Sequence, residues 1–238
     1  RLAALGGAVE AAVSVDPAGN ADGCVIVDGA SLSALGAVAR DRSVRAGWLD
    51  LALVVSRDST EESLLTSAEG RVDIRSAEVA LGASRTEGAG ATLDVSLSGD
   101  RVRGVARIES VGVRMDLDGV VPLDPSLPAE VAFRAESPDI GRLPLGSGAF
   151  REVGGSALVV GTAGTSPARL DATVRLENGV GRFYGDLPSI VDLGVELRFR
   201  DDRVTVDRLA GRLGSAGFQA GGSAKIDGPW NGAPVALG

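Results

Sequence analysis

Paired carboxylates, one cysteine and an oxygen-rich loop are the features of this chain whose types and spacing suggest chemistry. Asp116 and Asp118 stand two apart, and Asp201 and Asp202 are adjacent. Carboxylate pairs run acid–base chemistry when their surroundings push their pKa values apart. Here the first pair lies on the polar side of an alternating run and the second lies in a turn, so both read as solvated groups of ordinary acidity. The loop Asp16-Pro17-Ala18-Gly19-Asn20-Ala21-Asp22-Gly23 offers oxygen ligands but lacks the register and closing Glu of an EF-hand. A solvated turn is expected there, and no metal. Cys24 is the single cysteine. It excludes an internal disulfide and, beside Val25-Ile26-Val27, reads as a small buried hydrophobe. The chain has no histidine, which removes Ser-His-Asp and Cys-His nucleophile systems and most zinc sites. No serine sits in a Gly-x-Ser-x-Gly elbow. The expectation is a chain without catalytic residues or cofactor.

The elements that would carry any other function are strands. Val191-Asp192-Leu193-Gly194-Val195-Glu196-Leu197-Arg198-Phe199-Arg200 puts Val191, Leu193, Val195, Leu197 and Phe199 on one face and polar groups on the other. Such a strand belongs to an antiparallel sheet wetted on one side. Asp201-Asp202 supplies a turn before Val204 and Val206 resume the alternation. Phe218, Ala220, Ala224 and Ile226 align in the same way, as do Leu49, Leu51, Leu53 and Val55. So do Leu93, Val95 and Leu97; Val111, Val113, Met115 and Leu117; and Leu170, Ala172, Val174 and Leu176. Two stretches differ. Ser31 to Ala39 carries Leu32, Leu35 and Val38 at helical spacing, and Ser59-Thr60-Glu61-Glu62 resembles a capping box before Leu64 and Leu65, with Gly70 as a stop.

Composition narrows the sheet's character. Hydrophobic residues are 44% of the 238 but aromatics only 3%, with 34 glycines, a mixture suited to thin, extended sheet rather than a thick core. A net charge of −8 argues against nucleic acid and against docking on an anionic membrane surface. No apolar run is long enough for a signal peptide or a membrane span.

Three landmarks recur in one order. Gly99-Asp100-Arg101-Val102 matches Asp201-Asp202-Arg203-Val204, an offset of 203 − 101 = 102. Asp118-Gly119 matches Asp227-Gly228, an offset of 227 − 118 = 109, and Gly47 matches Gly155, an offset of 155 − 47 = 108. They suggest tandem modules: 1–28 as the tail of a preceding one, 29–124 as the first and 125–238 as the second.

The second module, with the succession RLENGVGRFYGDLPSIVDLGVELRFRDDRVTVDRLAGRLGSAGFQAGGSAKIDG followed by Pro229-Trp230, resembles the TamB family and its AsmA-like relatives. The shared pattern is an acidic turn with Arg-Val-Thr-Val, then Leu-x-Gly-x-Leu-Gly, then a small-residue strand ending in glycine. Residues 69–119 carry a looser copy, and 30–55 fit the lead-in. The resemblance implies an elongated antiparallel sheet curved into an open, taco-like groove in the periplasm of a Gram-negative bacterium, with the parent chain anchored in the inner membrane outside this stretch. It implies phospholipid acyl chains as cargo, and an outer-membrane barrel subunit of the TamA type as partner in outer-membrane and secretion-related assembly. The lining expected from the alternation is Leu93, Val95, Leu97, Val113, Met115 and Leu117, then Leu170, Val174, Leu176, Val191, Leu193, Val195, Leu197, Phe199, Val204, Val206, Phe218 and Ile226. The rival from another class is a structural or adhesive array of closed β-sandwiches that binds proteins. Phe183-Tyr184 reads as a strand-end aromatic packed on its neighbour, and Trp48 and Trp230 as strand-end anchors.

The pattern predicts a far-UV circular dichroism spectrum dominated by β-structure. A helix content above about a third, the average of globular proteins, would contradict it.

Overall fold

In the computed structural model the chain forms one antiparallel sheet of thirteen strands, each hydrogen-bonded to its neighbours in sequence. The structure describes residues 6–34, 44–60, 66–81, 84–124, 126–143, 150–165, 168–185 and 187–225. The strands are β1 Ala8–Val15, β2 Ala21–Ser31, β3 Val44–Arg57, β4 Ser67–Leu81, β5 Ser84–Ser98, β6 Arg101–Ser110 and β7 Val113–Pro122. They continue as β8 Glu130–Ser137, β9 Phe150–Gly164, β10 Arg169–Phe183, β11 Ile190–Arg200, β12 Arg203–Leu213 and β13 Ala216–Lys225. Several connections are short hairpin loops, while β2–β3 and β8–β9 are joined by twelve residues each. Gly99-Asp100, Val111-Gly112, Asp201-Asp202 and Gly214-Ser215 each join two strands with no other residue between the closing pairs. Loops of two residues hold strands antiparallel and adjacent, so the chain builds the sheet by meandering.

The sheet is open, and among the described residues no second layer covers it. Among the described residues the buried apolar ones are Ala30, Leu32, Ala77 and Ala172, and no large side chain is sealed from solvent. A closed sandwich would bury whole rows of Val and Leu between two sheets about 10 Å apart; here those rows stay half-buried, shielded only by one another.

Helix is marginal. Leu32–Ala34 begin a helical turn after β2, and Ile140–Arg142 form a 3-10 turn capped by the Asp139 carboxylate, which accepts from the Gly141 N–H at 2.9 Å. Residues 35–39 and 61–65, where the remaining helical expectations fall, lie outside the described residues. Gly70 is not a helix stop. It sits inside β4 opposite Leu53 and Val95, where the alternation that includes Ala68, Val72 and Ile74 outweighs a local capping signal.

Bulges interrupt the ladder, and most fall in the same half of the strands, while one β11–β12 shift and the β12–β13 shift lie near mid-strand. Registers shift in the β2–β3, β3–β4 and β4–β5 pairs, and again in β9–β10, β10–β11, β11–β12 and β12–β13. The pairs from β5–β6 to β8–β9 run without a shift. Gly47 and Gly155 mark two of the interruptions, with φ of 118° and 121°. A Cβ on Gly47 would lie 2.8 Å from the Ala77 Cα, and one on Gly155 would lie 2.9 Å from the Glu177 carbonyl oxygen. Both sites therefore combine a left-handed backbone with direct approach of the next strand. Elsewhere an aromatic ring covers a cross-strand glycine: Phe133 faces Gly161, and Phe218 faces Gly211. These rings fill the gap that a missing side chain leaves in a one-layer sheet.

Gly47→Ala and Gly155→Ala are expected to lower stability by about 1–3 kcal/mol each, since they add strain and a clash. Gly154→Ala, whose Cβ would meet nothing within 4 Å, is the control and should be near neutral in thermal unfolding.

Candidate functional site: an apolar sheet face opposite a charged one

Cross-strand partners share a face, so the registers assign every residue to a side. One row takes a residue from each strand in turn: Val9, Val27, Leu51, Val72, Leu93, Ala106, Leu117, Phe133, Gly161, Ala172, Phe199, Val204 and Ala224. None is polar. The next register row on the opposite side reads Glu10, Ile26, Ala52, Arg71, Asp94, Val105, Asp118, Ala132, Thr162, Asp171, Arg200, Arg203 and Lys225. The sheet is thus amphipathic over most of its width, although in β2 and β3 the second row turns apolar at Ile26 and Ala52.

The structure brings the expected lining residues together on the apolar side. Leu93, Val95 and Leu97 of β5 pair through β6 with Leu117, Gly119 and Val121 of β7, and Val113 and Met115 continue that row. Leu170, Val174 and Leu176 of β10 join the same face, Val174 opposite Leu197 and Leu176 opposite Val195. Phe199 faces Val204, Leu197 faces Val206, Leu193 faces Gly179, and Phe218 faces Gly211.

Val191 is the exception. It pairs with Arg212 and stands on the charged side. Asp192 adopts φ 54° at a bulge, so one extra residue reverses the phase of the strand before it. Ile190, paired with Leu213 and Gly181, holds the apolar position instead. Ile226 and Trp230 lie outside the described residues. Sequence reasoning left out Phe133 and Val159, although Val131-Ala132-Phe133-Arg134-Ala135 carries the same alternation.

Arginines and carboxylates interlock on the charged face. Arg107 donates to Asp116 at 2.8 Å, Arg103 to Asp118 at 2.8 Å and Arg175 to Glu196 at 2.9 Å, each across a strand pair or onto its neighbour. The Arg107 hydrogen bond holds the Asp116 carboxyl below its ordinary pKa, and the Arg103 hydrogen bond does the same for Asp118. Arg71 likewise lowers Asp73. A general acid needs the opposite shift, so these carboxylates are ion-pair partners. Asp50 is lowered first by the backbone N–H of Gly29, which donates to it at 2.8 Å, and then by the charge of Arg75.

The remaining candidates resolve locally. Asp16 accepts from the Asn20 backbone N–H at 2.9 Å and from its side-chain amide at 2.8 Å, closing a turn as expected. Among the described residues no cluster of His, Cys, Asp and Glu could hold a metal ion. Cys24 is not a buried hydrophobe. It is half-exposed, and its pairing with Ala12 and Val54 puts it on the charged side, because alternation sends it opposite to Val25. Phe183 stacks on Phe150 with ring centres 4.6 Å apart, and Tyr184 points to solvent. Trp48 is about half exposed on the charged side near the start of β3. No helix among the described residues is long and apolar enough to cross a membrane. Comparison with known proteins finds no matching family model, curated protein or solved structure.

Because the paired carboxylates are more acidic folded than unfolded, their contribution is complete above the unfolded value of about 3.9 and is lost as pH falls through the folded value. Thermal stability should therefore be level near neutrality and drop below about pH 4. In Arg107→Ala, NMR titration should find the Asp116 carboxyl at a higher pKa than in the parent chain.

Proposed function

We propose that this chain is a segment of a TamB-like, periplasm-spanning protein whose apolar sheet face shelters phospholipid acyl chains between the inner and outer membranes. One observation carries the reading, the apolar row that runs through all thirteen strands. With strands about 4.8 Å apart it extends roughly 60 Å along the hydrogen-bonding direction, and it is about 30 Å across at about 3.3 Å per residue. Monomeric proteins rarely expose apolar patches beyond about 300–600 Å², so a face of this size is built to be covered. Its Val, Leu and Ala surface is smooth, without a pocket shaped for one molecule. Covering a chain on one side recovers roughly half of the ~0.8 kcal/mol per methylene of full burial. That is about 6 kcal/mol for an acyl chain, enough to hold lipid loosely while it slides.

The finer shape we propose is a trough. Bulges bend strands and sharpen their twist, and a row of them in the same half of successive strands would fold the sheet along a line. The tandem organisation belongs to the same reading, and matching left-handed residues support it. Gly47, Ser76, Gly88, Gly99 and Gly112 have φ of 118°, 52°, 70°, 60° and 79°. Gly155, Asn178, Asp192, Asp201 and Gly214 have φ of 121°, 52°, 54°, 51° and 61°, in the same order on the corresponding strands. On this reading the units are β2–β7 and β8–β13, and β1 closes a preceding unit, which moves the first boundary from residue 29 to the start of β2. The inner-membrane anchor and the barrel partner of the TamA type come from the family resemblance, and the reading without catalysis comes from the missing histidine and nucleophile elbow.

Val195→Arg tests the reading. Val195 lies mid-face between Leu176 and Leu209, where a guanidinium can reach water from an open surface. The variant should keep its β spectrum yet carry less lipid, because passing chains meet a cation at a cost of about 2.5–3.5 kcal/mol on insertion scales. The control is Thr162→Arg, on the charged face beside Asp171. Glu196 is unsuitable as a control because it is bound to Arg175. Lipid extracted from the purified variants and measured by mass spectrometry decides the matter. Equal lipid in Val195→Arg and the parent removes the face from the path, and unfolding of Val195→Arg alone points to a covered, dry face.

A further inference from the structure

The charged face is not uniform, and its first three strands differ from the rest. Many of its carboxylates are tied to arginines, as in Arg71–Asp73, Arg103–Asp118, Arg107–Asp116, Arg175–Glu196 and Arg198–Asp207, and in β3 Asp50 is held by Arg75. Across β1–β3 the same side instead presents Ala12, Cys24, Ile26, Ala52 and Val54, which are contiguous by register: Ala12 opposite Cys24, Cys24 opposite Val54, Ile26 opposite Ala52. Ile26 is 47% and Val54 54% exposed. Over these residues the strands are apolar on both sides, a pattern that belongs to strand segments covered on both faces. Around the patch stand Glu10 opposite Ile26, Asp22 at the turn and Glu69 opposite Val54, and no ion pair to any of the three is found among the described residues. A shallow depression of about 520 Å³ adjoins it, lined by Ala52, Val54, Val105, Glu69 and Asp94 and by two arginines, Arg71 and Arg103, that are engaged by Asp73, Asp94 and Asp118.

We infer that this corner of the charged face docks a partner protein segment that presents apolar side chains flanked by lysine or arginine. The apolar patch supplies the contact, and the three unpaired carboxylates select the sign of the partner's charge. Over much of the rest of the face arginines already neutralise the acids and would repel such a segment. Complementary charge at a rim sets partner choice and approach more than depth of affinity, which suits a shallow surface. The inference is independent of the acyl-chain reading, since the two use opposite faces.

The probes are a fluorescein-labelled Lys-Leu alternating octapeptide and its Glu-Leu counterpart, titrated into the full chain at low salt. The Lys-Leu peptide should bind saturably and the Glu-Leu peptide should not. Glu10→Lys with Glu69→Lys should weaken the Lys-Leu peptide about tenfold and turn the preference toward Glu-Leu. Glu136→Lys with Glu152→Lys makes the same change in net charge at arginine-paired sites and should weaken it by less than about threefold. Val54→Ser should reduce binding while Val195→Arg leaves it unchanged. If Val54→Ser fails to fold, the two charge variants still decide. Equal loss in both charge variants would mean general attraction to an acidic chain, and loss in Val195→Arg would put the peptide on the other face. Either outcome, or no saturable binding at millimolar peptide, overturns the proposal.

Discussion

Each strand of this protein is held chiefly by the backbones of its two neighbours. The described residues contain almost no sealed interior, so the stability that most domains draw from a packed core must come from a long hydrogen-bonded ladder and the side-chain rows along it. That constraint explains the economy of the connections. With two-residue loops between many pairs, closing each new hairpin costs little loop entropy, and every strand meets its partner soon after it leaves the turn. It also explains why large aromatics are few and why Phe133, Phe150 and Phe218 lie over glycines. In one layer a ring has no opposite wall to pack on, and a cross-strand glycine is the natural gap for it.

The ladder also separates the chemistry of the two sides. Once antiparallel register is kept, residues two apart stay on one face, and the sheet becomes an apolar plane backed by a charged one. The charged side is neutralised mostly in place. Arginines reach carboxylates on the same or adjacent strands, and their hydrogen bonds keep Asp73, Asp116 and Asp118 ionised. Each pair is exposed and contributes modestly. Together they keep that side wetted and discourage sheets from stacking through it. Over β1–β3, apart from the Arg75–Asp50 pair, the same side turns apolar and acidic. That contrast separates a merely solvated surface from one shaped for a partner.

Bulges are the remaining variable. A regular ladder alone would give an evenly twisted ribbon. Left-handed residues at Gly47, Ser76, Asn178 and Asp192 shift register at the same level in successive strands while β6 to β8 stay regular. The non-glycine members, Ser76, Asn178 and Asp192, hold a backbone that side chains normally avoid. Asn and Asp tolerate it best.

Much of this was legible in the residues themselves, for a physical reason. The period of two is a property of a single strand, so all-β structure, the polar turn at Asp201-Asp202 and the apolar sets of β5, β7, β10 and β11 could be read without knowing any partner. The family pattern rests on the same alternation and glycines. What a single strand cannot contain is its phase relative to a bulge or the side on which its neighbour's apolar set will lie. Val191 looks continuous with Leu193 and Val195 in sequence, yet the left-handed turn at Asp192 sends it to join Arg212 and brings Ile190 into its place. Cys24 reads as buried beside three apolar neighbours, yet alternation puts it opposite Val25 on an uncovered side. Register joined the separate apolar runs into one face, and only pairing between strands distant from any one motif could decide that.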